Sequence, residues 1–222
     1  ADPTKVVGSV AIGDNTFART GSTMVGSHNY NGALGDTTVN SASTRTDALG
    51  VYATTVGANS FSNGAFTTST GSYNIISSDY TGGRFSNVTK NLGATINGSL
   101  NSVESKTGSY YSGIGNTITG VANRTANSNG SLIFGAGNEI TNSFTSLSGT
   151  PTDGGASAKD FADSLRSSIR ASSSGGSTMA FGGGNRADYT LRTALVGVNN
   201  TVTGTSGAAS ADNSITGFHN TA

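Results

Sequence analysis

A short phrase recurs along this chain: a few apolar or small residues, then a Gly, then an Asn two or three residues later. It reads Ser9-Val-Ala-Ile-Gly13-Asp-Asn15, Thr23-Met-Val-Gly26-Ser-His-Asn29, Leu132-Ile-Phe-Gly135-Ala-Gly-Asn138, Met179-Ala-Phe-Gly182-Gly-Gly-Asn185 and Ala194-Leu-Val-Gly197-Val-Asn-Asn200. Degenerate copies stand at Thr55-Val-Gly57-Ala-Asn59, Thr70-Gly71-Ser-Tyr-Asn74, Ile114-Gly115-Asn116 and Thr216-Gly217-Phe-His-Asn220. Such self-similarity means one small supersecondary unit stacked on copies of itself, so the repeat sets the fold and function falls to whatever interrupts it.

Three or four apolar and β-branched residues make one short strand, and the Gly after them permits a turn at positive φ or a close backbone approach that a Cβ would block. Asn tolerates the same turn region. A second, weaker strand follows in places, as in Glu139-Ile-Thr141 and Thr201-Val-Thr203, before another Gly/Asn/Ser corner. The recurring Gly residues are 13 apart from Gly13 to Gly26, 14 from Gly57 to Gly71 and 15 from Gly182 to Gly197. A coil this small holds two short strands back to back, with no room for a three-sided prism.

Composition agrees. Apolar residues make up 33%, but 33 Gly in 222 residues bring the sum to an ordinary level, which implies a thin interior of small side chains. Only 11% of residues are charged, and twelve basic and twelve acidic side chains cancel, so neither nucleic acid nor an anionic membrane is indicated as a partner. The absence of Cys rules out disulfide and thiolate metal sites and is compatible with export. With no apolar run near 18 residues and no signal-peptide pattern, the chain reads as a mature or excised soluble segment. Residues 1–4, opening Ala1-Asp2-Pro3, stand apart from the repeat as an N-terminal leader.

Consecutive positions in the repeat strands are apolar: Met24 and Val25, Leu132 to Phe134, Leu195 and Val196. Alternate strand residues point to opposite faces, so one set fills the coil and the other forms a long exposed stripe of a kind monomers avoid. Val10 or Ile12, Met24 or Val25 and Leu195 or Val196 are thus expected to divide between the interior and an oligomer axis.

These residues resemble the heads of trimeric autotransporter adhesins of Gram-negative bacteria, of the YadA-like type. The repeat of that family is close to Ser-Val-Ala-Ile-Gly, as at Ser9 to Gly13, followed by a small-residue turn for which Ala18-Arg-Thr-Gly21 and Asn63-Gly64-Ala65 are counterparts. The resemblance covers 5–76, and more loosely 90–141 and 177–220. It implies an all-β fold, a left-handed parallel β-roll forming a homotrimer, at the bacterial cell surface on a stalk and outer-membrane anchor that lie outside this chain. It also implies binding to a host cell-surface receptor, such as the immunoglobulin-like carcinoembryonic-antigen-related adhesion molecules (CEACAM), or to an extracellular matrix protein.

Residues 5–222 then form a single head with insertions at 36–46, 77–90, 98–112, 121–131, 142–177 and 205–213, where long loops on a rigid scaffold concentrate binding residues. The longest carries a helix over about 157–171, with Ser157 as N-cap, an apolar stripe of Phe161, Leu165 and Ile169, and Lys159, Arg166 and Arg170 facing solvent. It either packs on the roll or forms a binding ridge. Tyr80, Phe85, Tyr110, Tyr111, Phe144 and Leu147, in or beside insertions, are the candidate partner-binding residues, as aromatic and apolar side chains are favoured in interfaces.

Catalytic, cofactor and metal sites are not expected. His28 and His219 occupy turn positions held elsewhere by Asn59 or Asn199, and neither Gly135-Ala-Gly137 nor Gly182-Gly-Gly184 opens a helix that could cradle phosphate. Asn-x-Ser/Thr sequences at Asn87, Asn97, Asn123, Asn129 and Asn199 follow from composition. Beside the adhesin stand two other readings: a parallel β-helix enzyme acting on polysaccharide, which needs convergent carboxylates, and an ice- or surface-binding solenoid with Thr rows, whose flatness insertions would break.

Overall fold

The computed structural model describes residues 8–18, 21–30, 52–64, 66–78, 91–105, 112–144, 162–163, 166–167 and 176–222. The described chain is all-β apart from helical residues at 162–163 and 166–167. In chain order the strands are β1 (Val10–Ile12), β2 (Thr23–Ser27), β3 (Thr54–Ala58), β4 (Phe61–Ser62), β5 (Thr68–Ser72), β6 (Ile75–Ser78) and β7 (Thr95–Ser99). They continue with β8 (Ser102–Ser105), β9 (Thr117–Val121), β10 (Arg124–Ala126), β11 (Leu132–Ala136), β12 (Glu139–Thr141) and β13 (Met179–Gly183). The last are β14 (Arg186–Asp188), β15 (Thr190–Leu191), β16 (Ala194–Val198), β17 (Thr201–Thr203), β18 (Ser210–Ala211) and β19 (Ser214–Phe218).

Ten strands form one parallel sheet in the order β1-β2-β3-β5-β7-β9-β11-β13-β16-β19, and seven form a second, β17-β14-β12-β10-β8-β6-β4. The long sheet is the first side of every coil and the shorter sheet is the second. The pairing is in register throughout, so that Gly26, Gly57, Gly71, Gly98, Gly120, Gly135, Gly182, Gly197 and Gly217 align in one row. A short third side, which the expectation of two sides had left out, is formed by β15 and β18 and by backbone rungs such as Gly113 N–H to Ser128 O and Asn129 N–H to Ser143 O.

The interior is one side chain thick from each sheet. Met24, Ile96, Ile118, Ile133, Ala180 and Leu195 enter from the long sheet and meet Ile76, Val103, Ile140, Ala187 and Val202 from the short one, all fully buried. Near β3 the filling turns polar, and the Thr55 and Ser62 hydroxyls hydrogen-bond across the coil at 2.7 Å. The division expected for consecutive apolar positions holds at two of the three places, with Met24 and Leu195 inward and Val56, Phe134 and Val196 outward; Val10 and Ile12, two residues apart, do not divide but share the outward face, with Ala11 in register with Met24.

Two rows hold the coils together at the corner between the sheets. Each aligned Gly has φ between +119° and +145°, and a Cβ on any of them but the last would collide with the carbonyl oxygen of the Gly in the next coil. Three residues on lies a buried Asn. The Asn138 Nδ2 donates to Gly182 O at 2.8 Å and to Asn123 Oδ1 at 3.0 Å, while Asn138 Oδ1 accepts from the Asn185 backbone N–H at 3.0 Å. The same pattern links Asn74, Asn101, Asn123, Asn138, Asn185, Asn200 and Asn220. Asn29 opens the ladder, and Ser60, the exception within it, reaches Gly71 O only at 3.5 Å.

Several expected insertions are regular coil. Residues 98–105 belong to β7 and β8, and 121–131 to β9, β10 and the corner after them; 77–78 extend β6, and β18 falls within 205–213. These strands carry single apolar residues among Thr, Asn and Ser, so periodicity in apolar residues misses them. Gly115 is not a repeat Gly but the corner residue before β9, whose own repeat Gly is Gly120. Of the expected helix, Ala162, Asp163, Arg166 and Ser167 are helical, with an ion pair between Asp163 and an exposed Arg166; its other residues, and segment 36–46, lie outside the described residues.

Gly182→Ala should therefore destabilise the fold by at least about 3 kcal/mol through backbone collision. Gly183→Ala next to it, where the nearest atom to an added Cβ is 3.6 Å away, should be close to neutral in the same denaturant titration. Asn138→Ala, which removes the amide partner of the part-buried Gly182 O and of the N–H of buried Asn185, should cost about 1–3 kcal/mol, whereas Ser60→Asn should add roughly 1 kcal/mol by completing the ladder.

Candidate functional site

Corner, strand and corner succeed each other without a break from the long sheet to the short sheet in every coil. Tyr30, Ser78, Ser105 and Phe144 end stretches of described residues just beyond the short-sheet side, and Tyr52, Asn91, Ser112 and Gly176 open stretches just before the next long-sheet strand. The described residues that border 31–51, 79–90, 106–111 and 145–175 therefore lie on one flank of the solenoid, that of the third side, as do those that border 19–20 and 65. The turn at 205–208 closes on the same flank through the Thr205–Ala208 bridge.

The flank is anchored from below. Ser143 Oγ hydrogen-bonds Thr178 Oγ1 at 2.6 Å and Thr190 O at 2.5 Å, and Thr178 Oγ1 bonds Thr190 Oγ1 at 2.9 Å, tying both ends of the longest segment to the next coil. Phe144, half-buried, stands at the point of departure. Of the candidate residues, only Phe144 belongs to the described part; Tyr80, Phe85, Tyr110, Tyr111 and Leu147 lie outside it.

The two other faces differ in charge. No charged residue occurs in the ten strands of the long sheet, whose outward side chains include Ile12 and Phe134, exposed to 59% and 58%. The short sheet carries Glu104, Arg124, Glu139 and Arg186 on neighbouring strands. Arg124 is the centre of this row, donating from Nε and Nη2 to the Glu104 carboxylate at 3.0 and 2.9 Å and from Nη1 to Glu139 at 2.7 Å. Its guanidinium is held above its ordinary value by these two carboxylates, and the Arg124 hydrogen bonds hold Glu104 below the usual carboxylate range. The carboxylates of Glu104 and Glu139 are thus bridged by one cation.

At the start of the same face, aromatic side chains stack, with the Tyr30 and Phe61 rings 5.5 Å apart. Sequence reasoning also passed over exposed Tyr52, Phe66, Tyr73 and Leu100, all at positive φ, where other coils place Gly, Asn or another small or polar residue. Their signal was present, as bulky residues at the turn positions of the repeat. His28 and His219 occupy the same corner row, at φ 54° and 53°, and Asn15 Nδ2 lies 3.3 Å from His28 Nε2. Among the described residues there is no group of three or more His, Cys, Asp or Glu that could hold a metal ion, and no helix long and apolar enough to cross a membrane. Comparison with family models, curated proteins and solved structures gives no match to this chain.

The depressed Glu104 pKa fixes a pH dependence. A carboxylate with a folded pKa below its unfolded one adds stability above the unfolded pKa, and that stability is lost as pH falls through the folded pKa. Because the pair is more than one-third exposed, the effect is at most about 1 kcal/mol. Glu104→Gln should lower the unfolding midpoint slightly at pH 7, and the difference from wild type should vanish in acid below the Glu104 pKa.

Proposed function

We propose that this chain is the head of a trimeric bacterial surface adhesin, with three parallel copies packed through their long sheets as left-handed β-rolls and their insertion flanks turned outward to bind a host protein. The observation that carries the reading is the partition of the surface. An uncharged, uninterrupted sheet suits burial against copies of itself, and every interruption lies on another side. Ten strands about 4.8 Å apart and five residues long present roughly 700–800 Å², close to what one partner contributes to a stable interface.

The flank suits a folded partner such as an immunoglobulin-like receptor of the CEACAM type, or a matrix protein, because long segments on a rigid support offer a shaped surface that tight corners lack. Low net charge argues for a contact held by shape and apolar area rather than steered by charge. Three sites per head would raise avidity on a receptor-covered cell without stronger individual contacts.

A second reading rests on Thr23, Thr54, Thr68, Thr95 and Thr117, which stack in register on the same long sheet. The described residues that border the longer segments lie on another side of the coil from this face. A flat Thr row of this kind suits an ordered surface such as ice, and it requires the sheet to be free.

Light scattering at micromolar concentration separates the two readings: a trimer supports the adhesin head, and a stable monomer supports the surface binder. On a panel of matrix proteins and receptor ectodomains, replacing the 145–175 segment by a short Gly/Asn/Ser turn should weaken binding at least about tenfold, with Phe144→Ala costing a few-fold. Unchanged affinity after trimming all four segments would contradict the assignment of binding to this flank.

A further inference from the structure

Each long-sheet strand from β2 on is bordered by two residues in the left-handed region, one before and one after it, always seven apart, as with Tyr52 and Asn59, Phe66 and Tyr73, Gly93 and Leu100, and Asp212 and His219. Stacked coil on coil, they form two rows along the two long edges of the uncharged sheet. Left-handed backbone costs a residue with a Cβ about 1–2 kcal/mol, and other coils avoid this with Gly in the leading row at Gly115 and Gly130 and in the trailing row at Gly137 and Gly184. In the leading row Tyr52 stacks on Phe66 at 5.6 Å and Arg192 pairs with Asp212 within the chain, whereas in the trailing row Tyr73 and Leu100 accept the strain and still expose 59% of their surface.

We infer that these rows form the seam between copies, the leading row of one copy meeting the trailing row of the next, coil by coil at the same height. The inference rests on the trimeric reading above. In a closed ring of parallel copies whose long sheets face the axis, rotation about that axis conserves height along the solenoid, and each copy presents its leading edge to its neighbour's trailing edge.

The two rows match at those heights. Phe66 meets Tyr73, ring against ring. Leu100 meets Gly93, beside which an added Cβ would find no atom within 4 Å, leaving room for the larger side chain. Tyr52 meets Asn59, whose small polar side chain leaves space for the ring. Asp212, whose carboxylate Arg192 of its own chain already holds at 2.6 and 2.8 Å, comes beside His219 at the last coil. The occupant of this surface is thus a second copy of the same chain, and the seam fixes both its register and its parallel orientation.

The absence of native Cys makes the test direct. Within one chain, positions 66 and 73 lie at opposite ends of a strand, roughly 20 Å apart, whereas a disulfide needs Cα atoms within about 7 Å. Phe66→Cys with Tyr73→Cys, and separately Asp212→Cys with His219→Cys, should give covalent trimers on non-reducing gels after mild oxidation. Each single variant should stay uncrosslinked, as should the height-mismatched pair Phe66→Cys with Asn199→Cys. Light scattering of the wild-type protein is read alongside: a wild type that is not a trimer overturns the trimeric reading and the seam with it. A trimeric wild type in which neither matched pair crosslinks, or in which the mismatched pair crosslinks equally, overturns the seam alone.

Discussion

The structure depends on the pairing of a Gly row with an Asn row at a single corner. The Gly residues let consecutive coils approach until backbone touches backbone, and the Asn amides fill both hydrogen-bonding needs that this approach creates. Each Nδ2 donates to the carbonyl of the next coil's Gly, and each Oδ1 receives the backbone N–H of the next coil's Asn. A chain whose interior holds one Ile, Val or Ala per strand gains limited stability from apolar burial. Repeating a buried amide ladder in nearly every coil offsets this, since a buried amide with all partners in place stabilises while one left unmade is costly.

Because the Gly row and nearly all of the Asn row are held fixed at that corner, with Ser60 the exception, charge is carried at the other end of each coil. The short sheet admits charge, as in the Glu104–Arg124–Glu139 row, and the third side carries Tyr30, Ser78, Ser105 and Phe144, the described residues that border the longer segments. The long sheet carries neither. A one-sided scaffold results, and under the proposed function assembly and recognition would use different surfaces, so that a change in a binding segment would leave the packing of the coils untouched.

The repeat was legible because its Gly and Asn carry a strict steric and hydrogen-bonding demand. Two kinds of Asn were hidden in one phrase, however. Asn59 and Asn199, two residues after the Gly, take the left-handed corner, while Asn138 and Asn200, three after it, point inward to the ladder. Strands such as Thr95–Ser99 and Thr117–Val121 were illegible as strands because a register partner on either side supplies the order that their own composition lacks. The insertion flank was only half legible. Segment lengths announced interruptions, but that all of them open on one side follows from register alone. Bulky residues at corner positions, Tyr73 and Leu100, were read as degenerate repeats or passed over, though a side chain at a Gly position is itself a signal of use.

The central claim is that the uncharged long sheet is covered by further copies of the chain while the short sheet stays in water. Hydroxyl-radical footprinting of the protein at micromolar concentration tests it most directly. Phe134 and Met179 on the long sheet, exposed to 58% and 39% in a single chain, should be strongly protected, while Tyr30 and Phe61 on the short sheet react at the rates of half-exposed rings. Reaction of Phe134 and Met179 at the rates their single-chain exposure implies would contradict the account.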